Sequence, residues 1–140
     1  MKVLFDTNVV LDVLLARKPH VEVAAQLLSL VDRNEIDGVL CATTVTTIHY
    51  LAIKAAGASN AKRYLHELLA MFSVATVDGP VLDQALELEF PDFEDAVLHQ
   101  AALSSGCGAI VTRNGKDFTR ATLPVFAPVE LLAATLAART

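Results

Sequence analysis

The chain has 140 residues and is 54% hydrophobic, which is enough to bury the core of one domain over residues 1–140 and too apolar for a disordered protein. No apolar run approaches the ~18 residues that span a bilayer, and Asp6 interrupts the start too early for a secretory signal. We therefore expect a cytoplasmic protein without a membrane association. The net charge of −5 argues against a protein that coats nucleic acid by bulk positive charge, but not against an enzyme that meets it at a local patch.

The first half of the chain alternates short apolar strands with helical patterns. A strand is predicted over residues 2–5, and Asp6, Thr7 and Asn8 follow it with side chains that suit the start of a short helix. The later elements of this half are predicted from apolar periodicity and from Thr43 as a helix cap and Gly57 as a helix stop. They are helices over residues 20–34, 43–56 and 59–71, and a strand over 38–42.

The second half repeats the alternation. Pro80 and Pro128 suit the first turns of two helices, and Asp92 suits the cap of another. The predicted strands cover residues 73–77, 109–112 and 123–126, and the predicted helices cover 81–88, 93–105 and 129–138. Strands separated by helices predict an α/β sandwich with a mostly parallel sheet.

The acids are unevenly placed along the chain. No Lys or Arg lies between Arg63 and Arg113, although Asp and Glu are frequent there. Such a segment needs either a solvated face or a bound cation. Cys41 and Cys107 lack the spacing of a zinc site or a disulfide scaffold, and we expect both to be small core residues in a reducing compartment.

Three acids lie next to the ends of predicted apolar strands or helices. Asp6 ends the first strand, Asp117 follows the strand that ends at Thr112, and Asp95 lies in the first turn of the helix that leads into that strand. Ligands of parallel α/β sheets bind at the carboxyl ends of the strands. Clustered carboxylates repel one another, and Mg²⁺ would remove the conflict. The alternative for each acid alone is a helix-capping role.

Three segments together resemble a PIN domain, of the variety found in the VapC-like toxins of bacterial toxin–antitoxin pairs. They are Phe5-Asp6-Thr7-Asn8, Asp92-Phe93-Glu94-Asp95-Ala96 and Val111-Thr112-Arg113-Asn114-Gly115-Lys116-Asp117-Phe118. The resemblance covers nearly the whole chain. It implies a three-layer sandwich in which helices flank a short, mostly parallel sheet, and an endoribonuclease that depends on Mg²⁺ or Mn²⁺. It also implies an antitoxin partner and a homodimer.

The resemblance also implies roles for individual residues. Acids matching Asp6, Asp95 and Asp117 hold the metal, and a polar residue matching Thr112 or Asn114 supports the site. Asn8 and Asn114 would orient waters or ligands around it.

One position departs from the family pattern. The family usually has a further acid in the third helix, and by register its place falls on Thr47. Either Glu94 or Asp92 supplies the missing carboxylate, or the site binds metal weakly and the chain is an RNA- or protein-binding module with weakened catalysis. Asp12 is a weaker candidate, expected as a solvated helix residue.

Basic residues flank the predicted acidic site in two groups. If the groups lie beside the metal, they would hold RNA phosphates; otherwise they are ordinary surface residues. The candidates are Arg17, Lys18, Arg113, Lys116 and Arg120. His99, four residues after Asp95, is either a proton carrier near the metal or a partly exposed helix residue. A phosphoacceptor domain is disfavoured because such sites usually need an acid where Asn8 stands.

Overall fold

A computed structural model describes residues 1–139, so Thr140, the last residue of the predicted domain, lies outside the described residues. Five strands form one sheet in the order β3-β2-β1-β4-β5, and every neighbouring pair is parallel. The strands are β1 (Lys2–Phe5), β2 (Asp37–Cys41), β3 (Ser73–Ala75), β4 (Ala109–Val111) and β5 (Val125–Phe126).

Within residues 1–139, seven helices connect and cover the strands. They are α1 (Thr7–Leu14), α2 (Val21–Asp32), α3 (Ala42–Ala56), α4 (Ala58–Met71), α5 (Gly79–Leu86), α6 (Phe93–Ser104) and α7 (Pro128–Ala137), and a 3₁₀ turn covers Gly115–Phe118. No helix among residues 1–139 is long and apolar enough to cross a membrane.

The core lies in two clusters, one on each face of the sheet. Successive strand residues point to opposite faces. Val3 and Phe5 of β1 accordingly join the cluster that includes residues of α1 to α4 and α7, and Leu4 joins the cluster that includes residues of α5 and α6. Helices on both faces of a parallel sheet give three layers, so the predicted α/β sandwich is confirmed.

Several predicted boundaries shift by a few residues. Thr43 does not cap α3, because the helix begins one residue earlier, after Cys41. The helix predicted from residue 59 begins at Ala58, directly after Gly57 with its φ of +84°. The last strand covers only Val125–Phe126, and Pro124, which has no N–H to pair, contributes its carbonyl to the Ile110 amide at 3.0 Å. Both cysteines are buried and free, as predicted for core residues.

Gly38 marks a close approach between β2 and the helices that cover it. A Cβ at this position would stand 2.7 Å from the Phe72 ring and 2.8 Å from Val31 Cγ1. Both neighbours are buried side chains of the core, so neither can move freely.

Replacing Gly38 with alanine should therefore lower the free energy of unfolding by about 1–3 kcal/mol, the usual cost of overpacking. Urea denaturation measures the change. Gly79→Ala is the control, because a Cβ there meets nothing within 4 Å. Equal stabilities for the two variants would contradict the tight packing of β2 against Phe72.

Candidate functional site

Asp6 lies where β1 ends and α1 begins. Its backbone N–H donates to the Val111 carbonyl at 2.9 Å, which extends the pairing between β1 and β4 by one bond. Its Oδ1 accepts the Thr7 backbone N–H at 2.7 Å, so the carboxylate also caps α1. The residue is only 8% exposed. The capping role predicted for this acid is present, and it fixes the carboxylate at the carboxyl edge of the sheet.

The second oxygen of Asp6 is held by two side chains. Thr112, directly after β4, donates its hydroxyl to Asp6 Oδ2 at 2.7 Å, and Asn8 Nδ2 donates to the same oxygen at 3.2 Å. The Thr112 hydroxyl in turn accepts the Asn114 backbone N–H at 3.0 Å. Burial raises the pKa of Asp6 and outweighs these hydrogen bonds, which lower it; the charge of Asp117 raises the pKa further.

Asp95 and Asp117 approach the same edge from other elements. Asp95 lies in the first turn of α6 and Asp117 in the 3₁₀ turn after β4. The pKa of Asp95 is raised to about 7, first by burial and then by the negative charges of its neighbours, which are Asp6, Asp92, Asp117 and Glu94. The three acids singled out in the sequence are therefore close enough to repel one another.

Asp92 and Glu94 lie at the exposed start of α6. Asp92 Oδ1 accepts the Glu94 backbone N–H at 2.8 Å and caps this helix. Both side chains are exposed. Their charges reach Asp95 electrostatically, and whether either one contacts a metal stays a prediction.

The third helix turns a different threonine toward the site than the one chosen by register. Thr47 is exposed and donates its hydroxyl to the Thr43 carbonyl at 3.1 Å. Thr44 is buried, and its hydroxyl shares a hydrogen bond of 2.9 Å with Thr7, next to Asp6. Thr44 was missed, although its spacing of four residues from buried Ile48 and eight from Ala52 indicates the inner face of α3.

The expectation that Asp12 is solvated is wrong. Asp12 has no exposed surface, and Arg113 binds it with two hydrogen bonds, Nε to Oδ2 at 2.6 Å and Nη2 to Oδ1 at 3.1 Å. Arg17 Nη1 lies 3.6 Å from the same carboxylate. Two of the bases predicted to contact RNA thus neutralise a buried acid, since a buried carboxylate needs a paired cation.

The remaining predicted bases are exposed. Lys18 follows α1, and Lys116 lies in the 3₁₀ turn beside Asp117. Arg120 is 3.6 Å from Glu89, and both side chains are largely exposed, so solvent weakens this pair.

His99 is fully buried rather than partly exposed. Its Nε2 accepts the Thr122 backbone N–H at 3.0 Å, and its ring packs against Phe90 with centroids 5.3 Å apart. Burial lowers the pKa of this imidazole, which favours the neutral ring. His99 therefore connects α6 to the segment before β5.

The donor set suits a hard cation. Within residues 1–139, no group of three or more His, Cys, Asp and Glu side chains is arranged to hold a metal ion by itself. Mg²⁺, however, is usually bound by one or two carboxylates and keeps several waters. Asp6, Asp95 and Asp117 supply oxygen donors, and the raised pKa values of Asp6 and Asp95 show that burial, together with neighbouring acids, disfavours their charged forms. A divalent cation that retains waters fits these residues.

Sequence comparison matches the chain to one family model. The model described as PIN domain covers residues 2–116, which include Asp6 and Asp95 and end one residue before Asp117. None of the curated proteins matches the chain.

Solved structures of similar shape come from toxin–antitoxin systems. A chain of VapBC2 from Rickettsia felis, bound there to a DNA fragment from its promoter, is 16% identical with a TM-score of 0.70, and covers 91% of this chain and 98% of that one. A chain of a toxin–antitoxin complex from Klebsiella pneumoniae is 22% identical with a TM-score of 0.68, and the match covers 90% of this chain and 97% of that one. A chain of VapBC-1 from nontypeable Haemophilus influenzae is 18% identical with a TM-score of 0.70, and the match covers 92% of this chain and 99% of that one. Identities this low show a shared fold, in agreement with the predicted PIN-like sandwich.

The raised pKa of Asp95 predicts how stability depends on pH in the absence of metal. The folded protein holds this proton more tightly than the unfolded chain, whose pKa is near 3.8. The stabilisation is full below that value and is lost as the pH rises toward about 7. Urea denaturation in EDTA, between about pH 5 and pH 8, should show this decline.

Asp95→Asn removes the titrating group and should flatten the decline, whereas Asp83→Asn, at an exposed position of α5, should not. A saturating divalent cation should also flatten it, because cation and proton compete for the same carboxylate. An identical slope in wild type and Asp95→Asn would show that Asp95 does not titrate in this range.

Proposed function

The chain belongs to the PIN domain family, and from this we propose that it is an endoribonuclease that hydrolyses RNA phosphodiester bonds with Mg²⁺ or Mn²⁺. One observation supports the proposal: Asp6, Asp95 and Asp117 lie near enough to one another at the carboxyl edge of the sheet for their charges to interact. Such an edge is where parallel α/β folds bind their ligands.

The residues of the chain have distinct tasks in this proposal. Asp6 is the central ligand, since three hydrogen bonds hold its carboxylate in one orientation. Asp95 and Asp117 complete the oxygen set directly or through water. Asn8, Thr112 and Asn114 form the hydrogen-bonded support, with Thr112 bridging the other two to Asp6. A bound divalent ion would supply an activated water nucleophile and would neutralise charge that develops on the phosphate.

The exposed bases supply the contacts to the RNA backbone. Lys18, Lys116 and Arg120 are exposed and would attract phosphates without reading the base sequence. Arg17 and Arg113 are paired with the buried Asp12 instead, so their contribution to phosphate binding would be smaller.

A second candidate is a PIN-like binding module with weakened catalysis. The observation that favours it is the composition of α3, where Ala42–Ala56 contains no Asp or Glu. A metal-independent RNA- or protein-binding activity, without cleavage of any RNA tested, would support this alternative.

We further propose a cognate antitoxin protein as partner and a homodimer as the assembly. The support is the origin of the similar folds in toxin–antitoxin complexes and the apolar residues left exposed on several helices, among them Tyr50, Leu69 and Leu86. Free buried cysteines agree with a reducing compartment such as the cytoplasm. Light scattering of the purified chain tests the dimer.

Asp6→Asn, Asp95→Asn and Asp117→Asn should each lower Mn²⁺-dependent RNA cleavage more than about 100-fold, beyond the effect expected for a residue that only orients a ligand. A fluorogenic RNA assay with and without EDTA measures the change. Asp83→Asn is the matched control, because Asp83 is an exposed acid of α5. Cleavage that persists in EDTA, or in both Asp6→Asn and Asp95→Asn, would contradict the proposed metal-dependent mechanism.

Thr47→Glu should strengthen Mn²⁺ binding if position 47 is the place of the missing acid. Titration calorimetry measures the dissociation constant. Thr46→Glu is the matched control, because Thr46 is also exposed and also donates to the Thr43 carbonyl. Equal or weaker binding in Thr47→Glu would show that the family acid corresponds to another position of α3.

A further inference from the structure

The ion pair between Asp12 and Arg113 joins α1 to the loop that follows β4. Asp12 lies in the second half of α1 and has no exposed surface. The guanidinium of Arg113 donates hydrogen bonds to both of its carboxylate oxygens, at 2.6 and 3.1 Å. A two-point contact between guanidinium and carboxylate fixes direction as well as distance. A partner removed from a buried pair leaves a charge that is costly to bury. The pair is therefore a strong local constraint.

The same loop is bound to α1 at a second point. The backbone N–H of Arg113 donates to Asn8 Oδ1 at 3.3 Å. Asn8 Nδ2 donates to Asp6 Oδ2, and Thr112, the residue before Arg113, donates its hydroxyl to that oxygen. Both groups that orient Asp6 Oδ2 thus belong to segments that the ion pair holds together.

We propose that Asp12 and Arg113 are positioning residues for the Asp6 carboxylate. Their ion pair locks residues 112–114 against α1, so that Thr112 and Asn8 converge on Asp6 in one geometry. The positioning can be measured in the metal-free protein, and its consequence for metal binding rests on the proposed function. On this inference Arg113 acts on RNA cleavage through Asp6 and not through a phosphate contact.

The test compares Asp12→Asn with Glu35→Gln. Glu35 forms the same two-point pair with Arg139, at 2.9 and 2.9 Å, but it is exposed and precedes β2 at the opposite edge of the sheet. Both variants lose one arginine-bound carboxylate charge. Arg113→Lys is the second test variant, and it serves if Asp12→Asn does not fold. It keeps a positive charge at this position but cannot form the two-point contact with Asp12.

Amide hydrogen exchange reads the positioning directly. Asp12→Asn or Arg113→Lys should accelerate exchange at the amides of Thr7, Arg113 and Asn114 at least ~10-fold, since their bonds report the loop and the Asp6 carboxylate. The Ile110 amide in β4 should stay protected, and Glu35→Gln should leave all four unchanged. A folded test variant with wild-type protection at Thr7, Arg113 and Asn114 would overturn the inference.

Metal binding separates positioning from general stability. In folded Asp12→Asn or Arg113→Lys, the Mn²⁺ dissociation constant should rise about 10- to 100-fold, the range for residues that orient a ligand. The metal concentration for half-maximal cleavage should rise with it, whereas loss of folded protein would lower only kcat. Unchanged Mn²⁺ affinity in a folded variant counts against the inference. If the wild type neither binds Mn²⁺ nor cleaves RNA, the proposed function fails, and the exchange data still decide the positioning.

Discussion

The repulsion among carboxyl groups at one edge of the sheet is the constraint on which the rest of the site depends. Asp6 is buried, and Asp95 is raised in pKa to about 7 by burial and by the charges around it. A protein gains nothing in stability from this crowding. The surrounding hydrogen bonds, from the Thr7 amide, Asn8 and Thr112, fix the orientation of the Asp6 carboxylate and lower its pKa, although burial outweighs them. A divalent cation bound there, as proposed, would relieve this repulsion.

The parallel sheet makes the crowding possible. β1 and β4 are neighbours although the chain between them crosses β2 and β3 first, and this order places residue 6 beside residue 112. Because all five strands run in one direction, their carboxyl ends share one edge. α6 then begins over that edge with Asp95 in its first turn. The site is thus assembled from segments far apart in sequence and held by backbone geometry before any side chain contributes.

The sequence predicted what local pattern and strand direction determine. Asp6 follows a strand of apolar residues, and Asp117 follows another, so their positions at the edge needed only the fold class. Asp12 and His99 could not be placed in this way, because their burial depends on partners 101 and 23 residues away. Thr44 is an intermediate case. Its inner-face position was readable from the spacing of buried residues in α3, but the family register pointed to Thr47 instead.

A net charge of −5 is a poor measure of how this chain would bind RNA, because some of its acidic side chains are buried and several of its basic side chains are exposed. Asp6 and Asp12 are buried, the latter within reach of two arginines, and so they contribute little to the field outside the protein. Lys18, Lys116 and Arg120 are exposed, and their fields extend into solvent within the screening length. A divalent cation among the carboxylates of Asp6, Asp95 and Asp117 would offset two of their negative charges. Acidic composition and a phosphate-binding face are therefore compatible in one chain, since in the proposed function the acids would hold the ion and the exposed bases would hold the polymer.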